Sequence, residues 1–247
     1  MAKIVKKGTD LEKELSRCKK QMKSKGFLVA GLGALALVSF LLAPTMLVLP
    51  VIFGGAAAAV FFSAMKLPQE IEILRAGIQG ENLTNYCLER LPDTYTAFRN
   101  LTVSYQGKKS EMDAVIVGPT GVFIVETKNL NGTIYGSFQD HDWTQYKVGR
   151  GGTPYQKSFY SPVKQVNTQV YRLANFLKEQ GHRAHVYPIV YFANMDTTVE
   201  VTGQDDKTAL FASSDDGADR LLRYVLQQPQ ALSPAICDRI VSTIERA

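Results

Sequence analysis

The sequence predicts an α/β fold, a mixed sheet flanked by helices, preceded by a two-helix transmembrane hairpin. Three observations lead there. Phe27 to Met65 is a run of 39 residues without a charge. "MDAVIVG" and "GVFIVETK" are strand-like and apolar on both faces, which requires cover on both sides of a sheet. Stripes of helical period stand before and after them.

One crossing of the hydrocarbon core takes about 20 residues, so the charge-free run reads as two crossings. "APTMLVLP", with Pro44 and Pro50, supplies the break between them. The first 25 residues hold nine Lys or Arg against Asp10, Glu12 and Glu14, a net +6, whereas the whole chain is +5. The basic excess is therefore confined to the leader, where it acts as a topology signal and not as a general nucleic-acid signature. The expected organisation is a basic cytoplasmic leader over 1–26, a transmembrane hairpin over 27–65, a linker over 66–76 and one domain over 77–247. Both termini are expected to be cytoplasmic, on a two-pass protein of the inner membrane. Cys18, Cys87 and Cys237, odd in number and widely spaced, fit free thiols in a reducing compartment.

"GIQGENLTNYCLERL" predicts a helix from about Gln79 to Leu91, with Leu83, Cys87 and Leu91 on one face. "YTAFRNLTVSY", "MDAVIVG" and "GVFIVETK" are strands separated by glycine-containing turns. "GTIYGSF" and "DWTQYKV" form a further pair. Ser161 and Pro162 open a helix as N-cap and first residue, and Val163, Val166, Val170, Leu173 and Leu177 give it an apolar stripe. "HVYPIVYFAN" is a buried strand. Two helices, after Ser213 to Asp216 and after Ser233-Pro234, close the chain and are expected to be well capped.

Chemistry concentrates in the central hairpin. If "GPTG", residues 118–121, is a four-residue loop, Val117 pairs with Val122 and Asp113 stands opposite Glu126, with Cβ atoms about 4.5–5.5 Å apart. Lys128 shares that face. Two carboxylates so close call for a positive group between them, either a divalent cation with a preference for oxygen or Lys128 itself. The first choice gives metal-assisted phosphodiester hydrolysis. The second gives a salt bridge at the strand ends and no chemistry.

The order of pieces across the region resembles the nuclease-related domain family, a branch of the PD-(D/E)xK nuclease superfamily. "GIQGE" resembles its G-x-x-G-E opening, and "EMDAVIVGPTGVFIVETKNLNGTI" its Asp, Gly-Val, Glu-x-Lys and Gly core. "W…SPVKQ" resembles its late Trp and Pro-x-x-Gln segment. The match covers about residues 77 to 195 and departs from the pattern at Thr127, where an apolar residue is usual. The resemblance implies a restriction-endonuclease-like core that cleaves DNA with Mg²⁺ or Mn²⁺. It makes Asp113 and Glu126 the metal ligands, and Glu81, Lys128 and Gln165 their catalytic companions.

Other residues carry two readings. Glu81 is either that helix carboxylate or a first-turn acid favoured by the helix dipole. Gln165 and Gln169, one turn apart, either reach a phosphate, a base edge or bound water, or are solvated. Lys147, Arg150 and Lys157, set among Tyr146, Tyr155 and glycines, suit a loop tracking a DNA backbone or an ordinary hairpin turn. The function expected is a membrane-anchored, metal-dependent deoxyribonuclease with DNA and the bilayer as partners. Homo-oligomerisation or a membrane partner protein would raise the modest DNA affinity of a near-neutral domain. The alternative is a catalytically silent nuclease-like module that binds DNA or a protein at the membrane.

Overall fold

The computed structural model describes residues 1–7, 10–45, 47–149 and 152–247. The chain divides into two compact units, residues 10–78 and residues 1–9 with 79–247.

The first unit is helical. Helix α1 spans Asp10–Leu42, α2 spans Val48–Ala64 and α3 begins at Leu67 and runs to Glu89. The break between α1 and α2 holds Pro44, as expected, while Pro50 is accepted in the first turn of α2. Lys25 Nζ donates to the Ser63 carbonyl, and Leu11 lies against Gly77, so the helices run antiparallel. Both helical stretches are long and apolar enough to cross a membrane, and nothing in their most apolar windows is buried. Phe27, Leu35, Leu41, Ile52, Phe61 and Phe62 all point outward. A helix apolar on every side belongs in a membrane or in the interior of a larger protein assembly. The segment 66–76, expected as a linker, is helical from Leu67 and continuous with the predicted Gln79 helix.

The second unit is mixed α/β, the predicted class. Its main sheet contains β1 (Lys3–Lys6), β2 (Thr96–Tyr105), β3 (Lys108–Gly118), β4 (Gly121–Lys128), β8 (Val186–Phe192) and β10 (Ala209–Ala212), in that spatial order. A smaller sheet has the order β7 (Pro154–Tyr160), β6 (Asp142–Val148), β5 (Gly132–Ser137), β9 (Thr197–Thr202). Helix α4 (Pro162–Glu179) and helix α6 (Pro234–Glu245) share one core with the small sheet, which includes Val115, Val117, Val122, Ile124, Trp143, Leu173 and Ile240. The opposite face of the main sheet packs α3 and helix α5 (Gly217–Gln227) through Ile116, Phe123, Val125, Leu88 and Leu221.

Several expectations change. β1 falls in the segment expected as a leader, yet it pairs in parallel with β2, from Lys3 beside Thr96 to Lys6 beside Arg99. The turn between β3 and β4 is two residues shorter than expected, because Gly118 and Gly121 also pair. Val117 still faces Val122, so the register is the predicted one. On α3 the buried face is Thr84, Cys87 and Leu88, with Leu91 just beyond the helix, and Leu83 is exposed. Ser161 caps α4 by accepting from the Lys164 N–H, but neither Asp216 nor Ser233 makes a side-chain cap on α5 or α6.

Candidate active site

Alternation along β4 sorts the site by face. Val122 and Ile124 point to the α4 side, so Glu126 and Lys128 follow them, while Phe123 and Val125 point to the α3 side with Thr127. On the α4 side the Glu126 carboxylate is almost closed from solvent and accepts on both oxygens. Lys128 Nζ donates to Oε1 at 2.6 Å, and Gln169 Nε2 donates to Oε2 at 2.8 Å. Lys128 also donates to Gln165 Oε1 at 2.9 Å, and Gln169 to the Glu111 carbonyl at 2.9 Å. The buried charge is thus fixed by two donors of different origin, the strand and the helix.

On the α3 side the Thr127 hydroxyl meets the Thr84 hydroxyl at 3.0 Å. This gives the polar residue in the middle of "ETK" a partner. Close approach of helix to strand end depends on Gly80, where a Cβ would come within 2.7 Å of Asn129 Cβ. One residue further, Glu81 accepts from Asn100 Nδ2 at 3.1 Å and lies 3.7 Å from the Arg99 guanidinium.

Asp113 sits where the sheet changes. The β3–β4 ladder runs from Gly118 beside Gly121 to Ala114 beside Val125 and stops one pair short of the expected Asp113–Glu126 partnership. Asp113 Oδ2 instead accepts from the Thr127 N–H at 2.8 Å. On the other side of β3 the pairing skips Asn100 and Asp113, and Asn100 has φ of 50°. Phe98 and Leu101 enter the same core, as do Met112 and Val115, although an odd spacing in a regular strand would separate them. Both strands therefore switch faces at Asn100 and Asp113. A non-glycine residue in the left-handed region carries strain of the kind that collects at functional sites.

Burial pushes the Asp113 carboxyl up from 3.8 to about 8, and the neighbouring Glu126 charge adds to the rise. The Thr127 N–H and Lys128 oppose it. Protonation of Asp113 relieves this arrangement, and a bound cation would oppose the same repulsion. Two neighbouring carboxylates are donors of the kind that a small hard cation takes. Among the described residues Gln169 Oε1 is buried without a hydrogen-bond partner. Among the described residues no three or more His, Cys, Asp or Glu gather as a ready-made metal cluster.

The expected residues are distributed unequally. Asp113, Glu126, Lys128 and Gln165 form one network, and Glu81 approaches from α3. Gln169, expected to face nucleic acid, is buried and uses its amide nitrogen inside the protein. Lys147 and Lys157 lie on the β6–β7 hairpin, with Lys147 Nζ 5.6 Å above the Tyr155 ring, and neither is bonded to the carboxylates. Arg150 lies outside the described residues. Sequence reasoning missed Arg99, Asn100 and Thr84, and also an open cavity of about 390 Å³ beside Gln165 and Gln169. Lys109, Ser110, Glu111, Tyr160, Thr168 and Arg172 complete its lining.

Residues 76–193 match the family model of the nuclease-related domain, NERD. Over residues 76–193 the chain carries a nuclease-related domain. The matched span contains Glu81, Asp113, Glu126, Lys128, Gln165 and Gln169, every member of the network just described. A relative from Bacillus anthracis, an uncharacterized protein, is 37% identical over 92 residues, or 36% of this chain and 43% of that protein. The chain thus spans less than half the length of that relative. No solved structure matches the nuclease-related domain or the rest of the chain.

Proposed function

We propose that the nuclease-related domain hydrolyses DNA phosphodiester bonds with a divalent cation, Mg²⁺ or Mn²⁺, at the cytoplasmic face of a membrane. The observation that carries this reading is the buried Glu126 carboxylate, gripped on both oxygens and set beside an Asp113 that burial keeps from ionising freely. Such an arrangement is costly for a purely structural salt bridge, whereas it is ready for a cation. Asp113 and Glu126 would hold the metal. The chemistry supplied there would be activation of water and charge to balance the phosphate.

The remaining work belongs to the chain. Lys128 is a cation at the carboxylate, placed by Gln165 to meet developing negative charge on the phosphoryl oxygens. Gln169 fixes the rotamer of Glu126. Glu81, held by Asn100 and Arg99, offers an acceptor at the opposite side of the site. Lys109 and Arg172 line the adjoining cavity and supply charge for the phosphates on either side of the reacting one.

The leader charge supports the cytoplasmic side, and β1 supports one common side for both ends of the hairpin. Residues 3–6 pair with β2, so the chain leaves the domain, passes the hairpin and returns to the same side. Full-length protein in detergent, incubated with plasmid and linear DNA in Mg²⁺, Mn²⁺ or EDTA, tests the activity. Cleavage that requires the metal and vanishes in Glu126→Gln supports the reading. Binding without cleavage under every condition would assign the silent module instead. Reporter fusions at both termini test sidedness, and a C-terminus outside the cytoplasm would overturn it.

A further inference from the structure

The hairpin carries cations that the proposed chemistry does not use. Outside the charge-free run, α1 presents Arg17, Lys19, Lys20, Lys23 and Lys25 within three turns. Lys25 is engaged with the Ser63 carbonyl, and Arg17 lines a separate hollow with Glu14 and Glu70. The other three face a different hollow, of about 480 Å³, whose lining is Ser16, Lys19, Lys20, Met22 and Lys23 of α1 and Arg75 of α3. It holds four cationic side chains, one hydroxyl and no acid. None of the four makes an ion pair among the described residues, whereas Arg99 and Lys128 at the candidate active site are each matched by a carboxylate.

Four uncompensated cations around one hollow repel one another, and a polyanionic group is what relieves them. Height along the helix selects its source. At 1.5 Å per residue, Lys23 stands about 6 Å and Lys19 about 12 Å from the start of the apolar run at Phe27. The headgroup layer is roughly 5–8 Å deep on each side of a bilayer, and lysine stems reach several ångströms beyond their Cα. Arg75 belongs to a helix whose N-terminus is the end nearer the apolar run, and side chains lean toward that end. A DNA backbone would have to enter the headgroup layer to reach the same positions.

We infer that Lys19, Lys20, Lys23 and Arg75 form a binding site for the phosphate headgroup of an anionic phospholipid. The inference rests on the membrane reading of the hairpin and is independent of nuclease activity. Each basic residue near an anionic surface is worth about fivefold in binding, so loss of four predicts a large effect.

The test uses full-length protein exchanged into mixed micelles holding equal phosphatidylglycerol and phosphatidylcholine, with retained lipids counted by native mass spectrometry. Phosphatidylglycerol should be retained over phosphatidylcholine by about tenfold or more. The preference should vanish in a variant carrying K19Q, K20Q, K23Q and R75Q, and persist when the three lysines become arginine. All four side chains line an open surface, and an unchanged melting curve confirms that the variant is folded. Equal retention of the two lipids by wild type, or a preference untouched in the glutamine variant, overturns the site. Displacement of the lipid by millimolar inorganic phosphate, or binding of a DNA duplex that only the glutamine variant loses, overturns the lipid as occupant. Extraction of wild-type protein from membranes by alkaline carbonate reports separately that the hairpin does not span.

Discussion

Replacing Asp113 with asparagine gives a stability change whose sign depends on pH. In the folded protein the carboxyl is raised from 3.8 to about 8, first by burial and then by the Glu126 charge. Between those values the folded state keeps a proton that the unfolded chain has released. Stability from this group is therefore complete below about pH 4 and is lost as pH climbs toward 8. Each pH unit in the window removes about 1.4 kcal/mol for a fully shifted single group. Entry of water and small rearrangement on deprotonation reduce the total to a few kcal/mol at most. The substituted amide cannot ionise and keeps an oxygen for the Thr127 N–H. Urea unfolding in EDTA from pH 4.5 to 8.5 should show wild type weakening with pH while Asp113→Asn stays flat and becomes the more stable protein near pH 8. Addition of Mg²⁺ at pH 8 should then stabilise wild type and leave the variant unchanged. Parallel pH profiles, or a wild type that gains stability across the window, would refute the account of Asp113.

Three further substitutions separate roles within the site. Glu126→Gln should abolish metal-dependent cleavage while changing metal-free stability by no more than about 1 kcal/mol, since a lost charge-assisted bond is offset by removal of the charge that helps to hold Asp113 protonated; unfolding curves and plasmid nicking measure both. Gln169→Leu should cost about 1–3 kcal/mol, because the Glu111 carbonyl and one Glu126 oxygen lose their donor. In kinetics it should lower kcat with little change in KM, and a selective rise in KM would restore Gln169 as a nucleic-acid contact. Gly80→Ala should destabilise by about 1–3 kcal/mol, as its Cβ meets Asn129, and calorimetry of the full-length protein should show the lowered Tm.

Much of this molecule is legible in its residues. Local signals suffice where periodicity is regular, as in the Val117–Val122 register, the helix opened by Ser161-Pro162 and the apolar hairpin. Reading fails where a strand breaks its own rule. The left-handed turn at Asn100 moves the alternation of β2 and β3 by one, and no spacing rule announces it. β1 is invisible because its four residues look like a charged leader and find their partner only across the fold. β7 hides in a loop-like stretch, since an exposed edge strand with Tyr and Lys lacks an apolar face. Gln169 does leave a trace. It stands between Val166 and Leu173 in an otherwise apolar stripe, and a polar residue in such a place needs a buried partner.

The pairing of Lys3–Lys6 with Thr96–Arg99 also sets an order of events during synthesis. β1 leaves the ribosome and must wait for a partner made some ninety residues later, and both apolar helices emerge in between. Until then the outer edge of β2 has no cover, and an uncovered edge invites pairing with other chains. Anchoring during translation would hold the two strands near one another and shorten the search that so distant a contact otherwise demands. A chain begun after the hairpin lacks β1 from the start, so its β2 edge stays open however well the remainder packs.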